Sequence, residues 1–442
     1  MADIAPLTPL RYQGPLARVV APPYDVIDAA ARAELAARDP HNVVRLILPE
    51  GDGDSKYANA ATLLAAWRSE GVLVRDEAPA FYRYDQRFTE PGGGRSRTRR
   101  GFLALVKLVP FSSQIVLPHE RTLSGPKEDR LKLFRATRTN LSPGFMLYRD
   151  PGRALDAPLA DAETIAELST PDGVEHTLAK VGRKDALRAI AEGIARSSLL
   201  IADGHHRYET ALRYAGEIDA AHAPTSAAPE AAEHKWFMVF LANGDDPDLV
   251  VFPTHRHVHS LARFQYAEMI ARAGTLFSSQ RLADGVDAAA ILESLRVAGQ
   301  RAPTVAACGT KGEVTLLSLL PEAPLSKHPA LGPLPDVLRR TDVALLHGGL
   351  LEGVLGVTPE AQAAKTNLWY PQDASAALAR VRSGASDSGD VLFLMNATPV
   401  RDVRAVAEAG HVMPQKSTFF YPKVLTGLAI HTLEPSRRVA LL

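Results

Sequence analysis

Cysteine is all but missing from this sequence. One residue, Cys308, stands among 442, which excludes an internal disulfide and any metal site built from clustered cysteines, and which suits a reducing compartment. Its place in an apolar run reads as burial rather than reactivity. An excess of charge of either sign is missing too: 50 Lys and Arg face 50 Asp and Glu, so no global field draws the chain to DNA or to an anionic membrane. No apolar stretch is long enough to span a bilayer. The first residues, Met1 to Pro6, carry an acid and an early proline where a secretory signal would place positive charge and then an apolar run. A soluble, cytoplasmic protein with no nucleic-acid and no membrane partner is therefore expected, and nothing in the composition fixes its oligomeric state. The chain has no Gly-x-x-x-x-Gly-Lys-Ser/Thr run, so a P-loop is excluded as its route to nucleotide chemistry. Nor does it show an internal repeat or an evident helix-turn-helix.

What is there concentrates at Leu199 to Leu212. Four apolar residues, Leu199 to Ala202, suit a buried strand, while Tyr208, Ala211, Leu212 and Ala215 recur at the spacing of a helix face. Asp203-Gly204 is the turn between them. A helix that starts after a tight glycine turn aims its first N–H groups at whatever sits over the turn, and its dipole favours an anion there. His205, His206 and Arg207 add side-chain donors. The plain alternative is an Asp cap with solvated histidines. Four polar groups in five residues weigh against it.

The remaining chain reads as support. Asp28 is placed to cap an alanine-rich helix to about Arg38. Asn42 to Leu48 is β-branched and apolar enough for a buried strand, in which Arg45 needs an acidic partner or an anionic ligand. Tyr57 to Gly71 reads as an amphipathic helix. Two strands between Ala80 and Leu108 flank the basic stretch Glu90 to Arg100, which reads as a solvated hairpin tip. His119, Glu120, Arg121 and Thr122 fall on a loop ahead of a helix that has Pro126 in its first turn. Ala215 to Glu233, broken by Pro224 and Pro229, reads as a surface insertion. Strands are expected at Trp236–Leu241, Thr304–Cys308, Val314–Leu320 and Val391–Met395, and helices at 264–276, 286–298, 342–355 and 400–409. His255, His257 and His259 would share one strand face, an arrangement more often hydrogen bonded than metal bound. Lys416 to Lys423 mixes cations, hydroxyls and aromatics in a way that suits either an anion beside a flat ring or a buried edge. The fold class is α+β, with mixed sheets and flanking helices. Two regions are expected, 1–235 carrying the glycine turn and 236–442 contributing further site residues, unless the whole is one elaborated domain.

The stretch Ala202-Asp203-Gly204-His205-His206-Arg207-Tyr208-Glu209-Thr210-Ala211 resembles the signature of the bacterial and archaeal family DUF1015. It also resembles the phosphate-gripping loop of the ParB/sulfiredoxin-like superfamily, which includes ParB, sulfiredoxin and free-serine kinases. The DUF1015 likeness extends to Pro22-Pro23-Tyr24-Asp25-Val26-Ile27, Pro118-His119-Glu120-Arg121-Thr122, Pro126-Lys127-Glu128-Asp129-Arg130-Leu131 and Met413-Pro414-Gln415-Lys416-Ser417-Thr418. The resemblance implies a ParB/sulfiredoxin-like nucleotide-binding core with large insertions, and a phosphotransferase that uses ATP or ADP with Mg2+ on a small hydroxyl-bearing metabolite such as free L-serine. On that reading Gly204, His205, His206 and Arg207 grip phosphate. Glu120 is the carboxylate that orients or deprotonates the acceptor, and Asp203 either holds Mg2+ or is itself the base. Asp25, Asn42, Arg45, His255, Arg256, Lys416, Ser417 and Thr418 would meet the small substrate. Two other classes stay open: a nucleotide-sensing binding protein of ParB-like type, and a metal-dependent hydrolase built on Asp203, His205 and His206 with Glu120 as base.

Overall fold

A computed structural model describes residues 2–90, 94–120, 124–222, 230–385 and 387–442. By internal contact the chain divides into two units. One comprises Met1–Pro118, Thr122–Leu249 and Pro422–Leu442, and the other His119–Arg121 and Val250–Tyr421. The break thus falls near residue 249 rather than 235, because the strand at 236 belongs inside the first unit's sheet, and the last 21 residues, Pro422–Leu442, return to that unit.

The first unit is built on a mixed nine-stranded sheet. Its strands are β1 (Ile4–Ala5), β2 (Phe81–Thr89), β3 (Ser96–Lys107), β4 (Val116–Leu117), β5 (Gly144–Tyr148), β6 (Glu163–Ser169), β7 (Glu175–Val181), β8 (Leu199–Asp203) and β9 (Trp236–Asn243). They lie in the order β4-β8-β5-β9-β3-β2-β7-β6, with β1 beside β3. β8 runs parallel to β4 and antiparallel to β5, and β9 runs parallel to β5. All eight residues of β9 are buried, as an interior strand covered on both faces requires. Helices α1 (Ala29–Arg38), α2 (Val44–Ile47), α3 (Ser55–Ser69), α4 (Ser124–Thr137), α5 (Lys184–Ala195) and α6 (His205–His222) pack around it. α1 starts where Asp28 Oδ1 accepts the Ala31 N–H at 2.8 Å, and α5 buries Leu187, Ile190 and Ile194 on one stripe.

Three sequence expectations are corrected here. Asn42 to Leu48 is not a strand: Asn42 Oδ1 accepts the Val44 N–H at 3.0 Å while its Nδ2 donates to Arg18 O (2.7 Å) and Val20 O (3.2 Å), so the side chain captures the backbone and starts α2. The stretch from Ala215 is not an insertion at its flanks, since α6 continues to His222 and both Ala232 and Glu233 are buried. Residues 223–229, at its centre, lie outside the described residues. The basic hairpin is not solvated throughout, because Arg99 on β3 faces inward and is almost fully buried. Arg121 and Thr122 also lie outside the described residues.

The second unit holds an antiparallel sheet of β10 (Arg256–Val258), β11 (Phe277–Arg281), β12 (Thr304–Gly309), β13 (Val314–Leu319), β14 (Leu368–Trp369) and β15 (Val391–Met395). Its order is β11-β13-β12-β15-β10-β14. Alternate residues of β12 feed two cores, Val305 and Ala307 on one face, Ala306 and Cys308 on the other. Burial pushes the Cys308 thiol up to about 12, as expected of a structural cysteine. Helices α7 (Tyr266–Ala273), α8 (Ala288–Gly299), α9 (Ala374–Arg382) and α10 (Val400–Glu408) flank the sheet. Leu345–Glu352 is wound as a π-helix inside the stretch expected to be plain α-helix.

One packing constraint is sharp. A Cβ on Gly101 of β3 would lie 2.4 Å from Leu241 O on β9 and 2.4 Å from the Phe240 ring. Gly101→Ala is therefore expected to lower stability by about 1–3 kcal/mol, read as an earlier midpoint in urea. A midpoint unchanged within error contradicts the close approach.

Candidate functional site

The glycine turn is held by charge. β8 delivers Asp203 to its C-terminal end, and Gly204 follows at φ +92°, a conformation other residues adopt with strain. The first bond of α6 runs from the Tyr208 N–H to Gly204 O at 3.0 Å, so the N–H groups before it have no acceptor within their own helix. Arg207, one turn in, donates through Nη2 to Asp203 Oδ1 at 3.0 Å and through Nη1 to Pro143 O. Lys423, from the returning C-terminal segment, donates to Asp203 Oδ2 at 2.8 Å. Burial would raise the Asp203 pKa, but Lys423, Arg207 and His205 outweigh it and hold the carboxyl well below its usual range.

A second layer fixes Lys423. Arg99 donates to Pro422 O at 2.5 Å and, through Nε at 3.1 Å, to Gln86 Oε1, while Gln86 Nε2 donates to Lys423 O at 2.9 Å. The Arg99 guanidinium sits 4.6 Å from the Phe145 ring centre and 5.4 Å from that of Phe240. Burial lowers its pKa to about 10, and its Nη1 has no hydrogen-bond partner among the described residues. Nearby, Arg130 stacks over the Tyr24 ring at 4.2 Å and donates to Ile47 O at 2.7 Å. The Tyr24 hydroxyl is raised by burial and sensitive to the charges of Arg207, Arg130, Asp25 and Asp203, which ties the Pro22–Ile27 segment to the turn. Two cations, Arg207 and Lys423, thus grip one carboxylate, and Arg99 holds the segment that carries Lys423.

Among the sequence candidates, Asp203, Gly204, His205, His206 and Arg207 meet at this turn, and Asp25 is exposed on the single turn Tyr24–Val26 beside it. Arg207 is 5 % exposed and committed to Asp203 and Pro143, so it serves as the floor of the turn rather than as an outward phosphate donor. Asn42 and Arg45 are engaged elsewhere: Asn42 on its own backbone neighbourhood, and Arg45 on Ala36 O at 2.8 Å, at the end of α1. That carbonyl replaces the acid or anion expected for Arg45. Arg99, Gln86 and Lys423 were missed as site residues. Period-two alternation along β3 was the available signal for Arg99.

The other candidates gather in the second unit. Glu120 Oε1 accepts the Lys416 N–H at 2.8 Å, with Lys416 in the left-handed region at φ +59°. Arg256, almost fully buried, donates to Lys416 O (3.1 Å), Gln415 O (3.2 Å), Thr254 O and His347 Nε2 (3.2 Å). His347, on the π-helix, pairs with Gln362 Oε1 at 2.7 Å, and burial together with Arg256 drops its pKa to about 3. His119 and Thr418 share a hydrogen bond of 3.0 Å. Ser417 donates to Pro414 O at 2.5 Å, and His255 Nδ1 accepts the Met395 N–H at 3.1 Å. His257 and His259 pack on Trp369, the latter stacked at 4.1 Å.

A resident Mg2+ on Asp203 does not fit this donor set, because both carboxylate oxygens already meet cations. The same geometry removes Asp203 as a zinc ligand with His205 and His206. No group of three or more metal-ligating side chains occurs among the described residues. No described helix is long and apolar enough to cross a membrane.

Fold and turn together define an α+β protein with a strand–glycine–helix junction whose aspartate is gripped by two cations. The chain belongs to the DUF1015 family, described as proteins of unknown function, whose model matches residues 4–344. No curated protein matches it. Among solved structures it is similar to a conserved hypothetical protein from Pyrococcus furiosus (13% identity, 75% of this chain and 95% of that one, TM-score 0.36). It is likewise similar to a free serine kinase in complex with AMP (12%, 75% and 92%, 0.37) and to a C-terminally truncated SbnI from Staphylococcus aureus (11%, 73% and 85%, 0.34). Likenesses of this size carry no chemistry across.

Two outcomes follow from the Asp203 grip. Arg207→Ala leaves the half-buried Asp203 carboxylate to Lys423 alone and is expected to cost up to about 3 kcal/mol, measured by denaturant melting. A wild-type midpoint would mean the pair contributes nothing. Because the folded pKa of Asp203 is depressed, its contribution is present above the ordinary Asp value of about 4 and is lost as pH falls below it toward the folded value. Asp203→Asn should flatten that part of the stability–pH curve, and an unchanged acid limb would contradict the shift.

Proposed function

We propose that this protein is a nucleotide-dependent phosphotransferase acting on a small hydroxyl-bearing metabolite, with free L-serine as the first candidate acceptor, and that its first unit is a ParB/sulfiredoxin-like nucleotide-binding core. One observation carries the reading: at the β8–α6 turn two cations, Arg207 and Lys423, grip a single carboxylate, with Arg99 fixing the Lys423 segment behind them, beneath a helix N-terminus that itself favours an anion. The loop resemblance supplies the nucleotide, ATP or ADP. Phosphoryl transfer asks chiefly for positioning and charge neutralisation. The N–H groups of the first turn of α6, with His205 and His206, receive the phosphates, and Lys423 is the cation that meets their charge. Mg2+ is carried by the nucleotide's own phosphates rather than by Asp203.

Asp203 is assigned to positioning. A carboxyl held far below its ordinary range is a poor base near neutrality, and both of its oxygens are spent on Lys423 and Arg207. Glu120 is the proposed base. The acceptor oxygen forms the new bond to the terminal phosphorus as the bond to the leaving nucleotide oxygen breaks, and Glu120 takes the acceptor's proton. Arg256 and Lys416 lie in the same network as Glu120 and are proposed to meet the acceptor through the 414–418 loop that they organise.

Calorimetric titration with ADP tests the nucleotide half. Lys423→Met, checked for folding, is expected to bind at least about tenfold more weakly, and unchanged affinity removes the phosphate assignment. Glu120→Gln tests the chemical half: ADP affinity should stay while kcat for L-serine and related small alcohols falls about a hundredfold. Wild-type turnover in that variant would end the base assignment.

A further inference from the structure

A large cavity lies wholly within the 250–421 unit, and Thr398 on its wall donates to Ser417 O of the 414–418 loop at 2.8 Å. It has a volume of about 530 Å3 and opens between the C-terminal end of α8, the segment 340–342, and the loop 396–399 that leads from β15 into α10. Four arginines line it: Arg296, Arg301, Arg340 and Arg401. Arg296 is paired with Glu293 at 2.6 Å and Arg401 lies 3.4 Å from Asp402. The side chains of Arg301 and Arg340 form no ion pair or hydrogen bond with any described residue.

Helix electrostatics accounts for only half of this set. Arg296 and Arg301 sit at the C-terminal end of α8, where a cation is favoured. Arg340 comes from another element, and Arg401 occupies the first turn of α10, where a cation opposes the dipole. That turn has no side-chain cap. Its first intrahelical bonds run from the Asp402 and Val403 N–H groups to Pro399 O (3.0 and 3.2 Å), so those of Val400 and Arg401 have no acceptor within the helix. Unpaired guanidinium groups and an uncapped helix N-terminus on one cavity are the two halves of a phosphate site.

The rest of the wall narrows the ligand. It carries no aromatic ring and no Leu, Ile, Val or Met side chain, only the small apolar surfaces of Ala302, Pro303, Ala397 and Pro399, so a nucleobase finds no ring to stack on. It does carry the Asp342 carboxyl and the Asn396 amide, hydrogen bonded to one another, with the Thr304 N–H also donating to Asp342. Burial raises the Asp342 pKa to about 6. A carboxyl there repels a phosphate but accepts from hydroxyls. We propose that this cavity binds a phosphorylated polyhydroxy metabolite of the sugar bisphosphate class, its phosphates on Arg301, Arg340 and the N-terminus of α10, its hydroxyls on Asp342 and Asn396.

The test keeps this cavity and the nucleotide turn apart. The full-length protein is titrated calorimetrically with fructose 1,6-bisphosphate, fructose, pyrophosphate and inorganic phosphate, beside the double variant Arg301→Ala/Arg340→Ala and the turn variant Lys423→Met. Both arginines are exposed, and a melting curve confirms that the double variant is folded. Fructose 1,6-bisphosphate should bind at least about tenfold more tightly than pyrophosphate or phosphate, lose about a hundredfold in the double variant, and be unaffected by Lys423→Met. Absence of binding overturns the proposal, as does affinity retained in the double variant. Equal affinity for inorganic phosphate would mark an adventitious ion only and overturn it too. Loss in Lys423→Met alone would move the ligand to the 203–207 turn, with the same consequence.

Discussion

The grip of Arg207 and Lys423 on the Asp203 carboxylate is the interaction on which the first unit's site depends. It joins a strand end, the first turn of a helix and a segment 220 residues further along the chain. A buried carboxylate without its cations is destabilising, and a buried cation without its carboxylate equally so. The three stretches are therefore fixed together or not at all. Arg99 and Gln86 extend the constraint, since by holding Pro422 O and Lys423 O they decide where the ammonium group can reach. What results is a set of donors placed before any anion arrives. Preorganisation of that kind makes electrostatic stabilisation effective, because nothing has to be reoriented when charge develops.

Charge at this turn also reconciles a neutral chain with the anionic ligand proposed for it. The formal charges cancel over the whole sequence, so long-range steering contributes little. Locally the balance differs, and it differs in a buried place, where solvent and salt screen least. Recognition is thus delegated to short-range geometry. That favours a small, highly charged group held close over an extended polyanion bound by a surface field.

The strand–turn–helix was legible because each of its signals is local: an apolar run, a turn glycine, and a helical period beginning at once. The sheet strands from 236 and 391 were legible for the same reason. What escaped was decided by contacts distant in sequence or by one side chain overruling propensity. Lys423 carries no local mark of its partner. Arg99 sits in a stretch whose composition reads as a solvated tip, and only pairing with β2 and β9 turns it toward Phe145 and Phe240. Asn42 sits in a run that β propensity would make a strand, yet its three bonds to the backbone start a helical turn instead. Arg207 was legible as part of the site, though not its direction, which follows from the Pro143 carbonyl beneath it.

Glu120 shows how the fold orients a candidate base. Its Oε1 accepts a backbone N–H from Lys416, a residue held at positive φ, and the Lys416 and Gln415 carbonyls are in turn drawn onto Arg256. Arg256 itself is anchored by His347, whose burial keeps the ring neutral and so able to accept the Nε–H. The direction of the carboxylate therefore depends on a chain of four residues that ends in a π-helix. Such turns are rare and are found frequently at functional sites. Here the π-helix carries the histidine whose neutral ring nitrogen accepts from Arg256. Protonation of His347 would remove the acceptor on which Arg256 rests, and burial beside that guanidinium holds the ring's pKa at about 3, so the network keeps its acceptor down to strongly acid solution.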